Sequence, residues 1–144
     1  MLIAIFGESC SGKTTLANKL KERLNARVFS GKDYLRLAKN EEEAKKQFKQ
    51  LLNLSLTGEN VIYVIAQKEH LEFIPKGAVR VLVTAPLDVI KQRFAKRTGG
   101  ILPPPISKML ENNHGCFDNE PYDYHLCENA NAEQIIEDII AKKA

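Results

Sequence analysis

The sequence has 144 residues, of which 44% are hydrophobic and 27% are charged, and its formal net charge is +3. This length predicts a single domain with a core of its own, and the small positive charge does not by itself indicate nucleic-acid or membrane binding. The cysteines form no CxxC pair, which disfavours disulfides and structural zinc, and no apolar run is as long as a membrane span. We therefore expect a cytoplasmic protein, monomeric or homodimeric, with neither nucleic acid nor a membrane as a partner.

An apolar run over residues 2–6 has the length of a strand, and the sequence GESCSGKT follows it with the spacing GxxxxGK[ST]. This spacing between a strand and a helix is typical of a phosphate-binding loop. Gly7 and Gly12 let successive backbone N–H groups converge on a phosphate, and the N-terminus of the next helix adds its dipole. We expect Lys13 to reach the β and γ phosphates of ATP and the Thr14 hydroxyl to bind Mg²⁺. The predicted nucleotide-binding residues of this loop are Gly7, Glu8, Ser9, Cys10, Ser11, Gly12, Lys13, Thr14 and Thr15.

Beyond the loop, helical and strand patterns alternate along the chain. They predict, in order, helix 14–25, strand 26–30, a second helical segment from residue 31, helix 41–56, strand 61–65, a short helix 67–73, strand 79–84, helix 86–98, a Gly- and Pro-rich break at 98–106, helix 106–113, strand 122–127 and helix 131–142. Such alternation predicts an α/β fold with three α/β/α layers and a five-stranded parallel sheet. The resemblance of the first loop to those of phosphate-loop proteins implies the strand order 2-3-1-4-5. Residues 1–144 are expected to form one domain, with an acceptor-side helical segment at about 33–58 and a lid-like segment at about 93–121.

Ligands of such sheets bind beyond the carboxyl ends of the strands, where the second and third strands are followed by charged residues. After the second strand, Arg36 could bind a phosphate or carboxylate, and Asp33 could accept a proton from an attacking hydroxyl or hold a Mg²⁺-bound water. The alternative is that Asp33 caps a helix and Arg36 is solvated. Glu69 follows the third strand and is a candidate substrate-binding residue, although Ile65-Ala66-Gln67 leaves no Asp at the strand end, where many phosphate-loop enzymes hold Mg²⁺.

Two arginines are candidates for catalysis. Arg93 and Arg97 share one face of a predicted helix that points at the Gly- and Pro-rich break, and a guanidinium on a closing flap would stabilise the charge of a transferring phosphoryl group. A solvated basic helix is the alternative. Asn129 could contact a purine edge, although helix capping explains it equally well. Metal-ligand spacing is absent from the three histidines, His70, His114 and His125.

The chain resembles the nucleoside monophosphate kinase family. The resemblance is carried by the loop over residues 7–14 and by the segment SGKDYLR at residues 30–36, which is similar to the Ser/Thr-Thr-Gly-Asp-x-Leu-Arg segment of adenylate kinases. It implies that Lys13 is the phosphate-loop lysine, that Asp33 matches the Asp of that segment, and that Arg36 binds the acceptor's phosphate. Arg93 and Arg97 are similar to the lid arginines of the family. The sequence IAQKEH at residues 65–70 lacks the Asp-Gly-Phe-Pro-Arg of adenylate kinases, and the compact chain is nearer to shikimate-kinase-like enzymes.

Two functions of different classes are consistent with these residues. The first is an ATP-dependent phosphotransferase that moves the γ-phosphoryl group to a nucleotide, nucleoside or small metabolite with the help of Mg²⁺. Its catalytic residues would be Lys13, Asp33, Arg93 and Arg97. The second is a nucleotide-binding module or slow NTPase without a small-molecule acceptor, which the missing carboxylate after the third strand favours.

Overall fold

A parallel β-sheet forms the centre of the structure, a computed structural model that describes residues 1–127 and 131–143. The strands lie in the order β2-β3-β1-β4-β5, and every pair of neighbours is parallel. This confirms the predicted fold class and strand order. The strands are β1 (Leu2–Phe6), β2 (Arg27–Ser30), β3 (Val61–Ile65), β4 (Val79–Val83) and β5 (Tyr124–Leu126).

Helices cover both faces of the sheet, which is why β1 and β3 are apolar at every position. The α-helices are α1 (Lys13–Leu24), α2 (Glu41–Ser55), α3 (Leu87–Arg97), α4 (Pro104–Asn113) and α5 (Ala132–Lys143). Two 3₁₀ helices, Asp33–Leu37 and Lys68–Phe73, follow β2 and β3. The sequence predicts a short helix at the second of these segments, and the chain crosses from β3 to β4 with this 3₁₀ helix alone among the described elements.

Alternate residues of the strands belong to two separate apolar layers. Ile3 and Ile5 of β1 pack on α1 and α5, whereas Leu2, Ala4 and Phe6 pack on the opposite side. That opposite layer contains α2, both 3₁₀ helices and Phe117, whose ring centroid lies 5.8 Å from that of Phe6. The connection between α4 and β5 therefore covers part of the sheet with a single aromatic side chain.

The segment that precedes β5 departs from the sequence-based bounds. Helix α4 begins at Pro104 rather than at residue 106, because prolines fit the first turn of a helix, where their missing N–H groups need no partner. Strand β5 is shorter than predicted, since only Tyr124–Leu126 pair with β4. Helices α3 and α4 pack against each other through an apolar cluster that includes Ile90 and Leu110.

Among the described residues, none of the helices has the length and apolar character that crossing a membrane requires.

Candidate active site

The loop between β1 and α1 has the curled backbone that the motif predicts. At Gly7 a side chain cannot fit, because a Cβ atom there would lie 2.1 Å from the Val83 carbonyl oxygen. Gly12 has a φ of 111°, a conformation that side chains disfavour, and α1 begins at the next residue. The positive end of the α1 dipole therefore points into the loop.

Lys13 lies beneath the loop rather than in solvent. Its side chain is buried, and Nζ donates a hydrogen bond of 2.6 Å to the Glu8 carbonyl oxygen. Burial lowers the pKa of the Lys13 ammonium to about 8, and the nearby Arg97 guanidinium acts in the same direction. A polyanion in the loop would supply counter-charge to this buried ammonium.

The Glu8 side chain points away from Lys13. Its carboxylate accepts a hydrogen bond from His114 Nδ1 at 3.0 Å and another from the Gly115 backbone N–H at 3.1 Å. Both partners belong to the connection that follows α4. The sequence predicts Glu8 only as a loop residue, and the contact lies too far along the chain for a local pattern to reveal it.

Cys10 forms the turn at the top of the loop. Its φ of 63° is unusual for a residue with a side chain, and that side chain is buried in the cluster formed by α3 and α4. Arg93 Nη1 donates a hydrogen bond of 3.1 Å to the Cys10 carbonyl oxygen. Arg93 thus contacts the backbone of the phosphate loop directly, while Arg97, one turn further along α3, is exposed at the cavity.

A cavity of about 660 Å³ opens beside the loop, at the carboxyl ends of β2 and β3. Four cationic side chains line it, and within the described part of the chain no carboxylate does. This charge distribution suits a polyanionic ligand. The lining combines loop residues with three other segments: Ser9, Cys10, Gly12, Lys13, Thr14, Thr15, Ser30, Gly31, Lys32, Val64, Ala66, Gln67, His70, Arg93 and Arg97.

Asp33, Arg36 and Glu69 do not line this cavity. Asp33 Oδ2 accepts a hydrogen bond of 2.9 Å from the Ser30 N–H, so the carboxylate closes the turn after β2. Arg36 is exposed on the first 3₁₀ helix. Glu69 is exposed and lines a smaller adjoining cleft between Gln67 and α4. Asn129 lies outside the described residues.

His70 is a buried cavity residue that no sequence pattern singles out. It is only 4% exposed, and its Nδ1 atom is buried without a hydrogen-bond partner. The ring makes an edge contact with Tyr34 and a tilted contact with Phe73. An isolated histidine has no spacing signal, and only the fold brings it beside Gly31, at the end of β2.

The residues present fit a magnesium ion only in part. The Thr14 hydroxyl lies at the cavity, at the start of α1, and a hydroxyl is one of the oxygen ligands that Mg²⁺ accepts. Within residues 1–127 and 131–143, no group of three or more His, Cys, Asp or Glu side chains could hold a metal. Any Mg²⁺ at this site would therefore have to take most of its ligands from a bound molecule.

Solved structures share this fold. A sugar kinase from Janibacter superposes with a TM-score of 0.64 at 18% identity, covering 97% of this chain and 92% of its own. Shikimate kinase from Acinetobacter baumannii, solved with shikimate, gives 0.64 at 18% identity over 99% and 94%. The YorR protein of Bacillus subtilis, solved with phosphorylated GDP, gives 0.64 at 23% identity over 99% and 95%.

These superpositions show that the chain shares its fold with a sugar kinase, a shikimate kinase and the YorR protein, as the resemblance stated from the sequence implies. The sequence matches no protein-family model and no curated protein.

Proposed function

We propose that this protein is a small-molecule kinase that transfers the γ-phosphoryl group of ATP to a small acceptor. The observation that carries the proposal is the cavity itself, which places the phosphate loop, two arginines of α3 and the ends of β2 and β3 around one space. A protein that only bound a nucleotide would not need cationic side chains from a second helix on the far side of the triphosphate. Kinases with this fold act on sugars and on shikimate, which supports the same class of reaction here.

The triphosphate would bind in the loop. Backbone N–H groups of the loop and the Lys13 ammonium would hold the β and γ phosphates, and Thr14 would share the Mg²⁺ ion that shields their charge. In the transfer, an acceptor oxygen forms a bond to the γ phosphorus while the bond to the β–γ bridging oxygen breaks, and ADP leaves. Arg97, together with Arg93, would stabilise the charge on the transferring group.

The acceptor would bind between the ends of β2 and β3. Ser30, Lys32, Gln67 and His70 line that part of the cavity, and they offer hydrogen-bonding groups and one cation. Asp33 and Arg36 follow β2, and we propose that they orient the acceptor once the lid-like segment closes. Glu69 would contribute through the adjoining cleft. An acceptor phosphate needs no base because it is already ionised, whereas an acceptor hydroxyl would require Asp33 to leave the Ser30 N–H and accept the proton.

A nucleotide-binding module or slow NTPase is the second candidate. It is favoured by the end of β3, where Ala66 and Gln67 stand in place of an acidic residue, and by the lack of a carboxylate among the described cavity residues. Such a protein would hydrolyse ATP slowly whatever else is present.

An acceptor panel separates the two functions. ADP formation from Mg·ATP would be measured with and without each of a series of nucleosides, mononucleotides, sugars and hydroxy acids. Strong acceleration by one chemical class supports the kinase, and equal slow hydrolysis throughout rejects it. Lys13→Ala should abolish the accelerated reaction, and Lys19→Ala, which changes an exposed lysine of α1, is the matched control.

A further inference from the structure

Glu8 is a charged residue at the second position of the phosphate loop, and its side chain does not line the nucleotide cavity. It is only 9% exposed, and it borders two smaller clefts on the other side of the loop. A carboxylate removed from water to this extent is costly unless hydrogen bonds compensate it. The partners of this carboxylate therefore indicate why the residue can be tolerated there.

Both partners lie in the connection after α4. The His114 ring and the Gly115 N–H each donate to a different carboxylate oxygen, across 106 and 107 residues of sequence. Gly115 has a φ of 80°, and a Cβ atom there would approach Asp118 Oδ2 to 3.1 Å. The turn that presents the Gly115 N–H is thus one that glycine adopts with little strain.

The main chain of Glu8 closes the loop at the same point. Its carbonyl oxygen accepts hydrogen bonds from Lys13 Nζ at 2.6 Å and from the Ser11 N–H at 3.2 Å. One residue therefore holds the base of the loop with its backbone and the α4–β5 connection with its side chain. On the opposite side, Arg93 holds the Cys10 carbonyl oxygen.

These contacts fasten the loop to the interior of α3 through Arg93 and to the end of α4 through His114 and Gly115. The turn at Cys10 has a positive φ, which a residue with a side chain adopts at a cost, so the curl of the loop needs support from outside. A loop that is already curled loses less entropy when a phosphate binds, which strengthens binding.

We propose that Glu8 is a positioning residue that holds the phosphate loop in its binding conformation by tying it to His114 and Gly115. The inference rests on the nucleotide-binding part of the proposed function. It predicts that loop shape and the position of α4 are coupled, so that loosening the connection weakens nucleotide binding without any change in the cavity.

The test measures ADP affinity by calorimetry and backbone hydrogen exchange over residues 8–13. Glu8→Ala should weaken ADP binding at least tenfold and increase exchange in the loop. Glu8→Gln retains an acceptor for the Gly115 N–H, so it should recover most of the affinity. The control is Glu120→Ala, which removes a carboxylate of the same connection that pairs with Lys68, and it should change affinity less than twofold.

His114→Ala guards against a folding defect in the Glu8 variants. It removes one hydrogen bond through a side chain that is 39% exposed, and circular dichroism would show that the fold is kept. It should weaken ADP binding in the same direction, and in the double variant with Glu8→Ala it should add nothing further.

Two results would overturn the proposal: ADP affinity of folded Glu8→Ala equal to wild type, or independent additive losses in the double variant. If the wild-type protein binds no ADP, the proposed function fails. The positioning role is then decided by loop exchange, which rises in Glu8→Ala if the role is correct and stays at the wild-type level if it is not.

Discussion

The Lys13 ammonium and the Glu8 carbonyl oxygen form a 2.6 Å hydrogen bond that closes the phosphate loop from below. The ammonium is buried, and burial lowers its pKa to about 8. Bound phosphates would favour the charged form and raise this pKa. Between about pH 8 and the pKa of the bound state, binding must therefore take up a proton, and we predict that ADP affinity falls by up to about tenfold per pH unit in this range.

Calorimetry at pH 9 in two buffers of different ionisation enthalpy measures this proton uptake directly. Lys13→Met should weaken binding and abolish the uptake, whereas Lys19→Met should leave both as in wild type. An affinity that stays constant from pH 7 to pH 9.5 would contradict the assignment of the buried ammonium to the phosphate site.

The positive φ of 63° at Cys10 predicts an unusual order of stabilities. Cys10→Ala should destabilise by about 1 kcal/mol through lost packing against α3 and α4. Cys10→Val should cost about 2 kcal/mol or more, although valine is larger and apolar, because a β-branched side chain is strained in this conformation. Urea unfolding measures both. Cys127→Val, at an exposed position, is the control, and the prediction is contradicted if the Cys10→Val protein is more stable than the Cys10→Ala protein.

The sheet could be predicted because its strands are short and separated by helical patterns, and because β1 and β3 are apolar at every position. Residues 61–65 are an example, since they are all buried in β3 as the run of Val, Ile and Tyr indicates. The curl of the loop between β1 and α1 could be predicted for another reason, namely that the glycines that produce it lie close together in sequence. Patterns of this kind are local, and the fold preserves them.

The support around the loop could not be predicted in this way. The contact of Glu8 with His114 and that of Arg93 with Cys10 each join segments more than eighty residues apart, and single-sequence periodicity carries no information about such pairs. His70 illustrates the same limit, because its burial depends on how a 3₁₀ helix packs on Tyr34. The binding and catalytic roles assigned to the site residues remain predictions, those of Lys13, Thr14 and Arg93 as much as those of Asp33, Arg36, Glu69 and Arg97.

Gly7 should be far less tolerant of substitution than Gly99. In Gly7→Ala the new Cβ atom would lie 2.1 Å from the Val83 carbonyl oxygen, so β1 and β4 would have to separate at the loop. We expect the free energy of unfolding to fall by about 3 kcal/mol and nucleotide binding to be lost. Gly99 has a φ of 87° but open space around it, and Gly99→Ala should cost about 1 kcal/mol. Thermal unfolding and ADP titration compare the two, and equal losses would contradict this account.

Replacement of His70 should separate stability from acceptor recognition. The imidazole is 4% exposed and its Nδ1 atom has no hydrogen-bond partner. An unsatisfied buried nitrogen lowers the free energy of unfolding, and natural sequences retain such residues mainly where function requires them. His70→Phe retains the contacts with Tyr34 and Phe73 and removes the unsatisfied nitrogen, so it should stabilise the protein by about 1 kcal/mol.

The same variant should raise the KM for the acceptor at least tenfold, because that part of the cavity loses its imidazole. His125→Phe is the control. The Nε2 atom of His125 is hydrogen-bonded to the Thr84 hydroxyl at an exposed site, so replacement of this histidine should not stabilise the protein. Unfolding measurements and acceptor titration test the two effects together. A variant that is less stable but retains the wild-type KM would show that His70 serves the core rather than the acceptor.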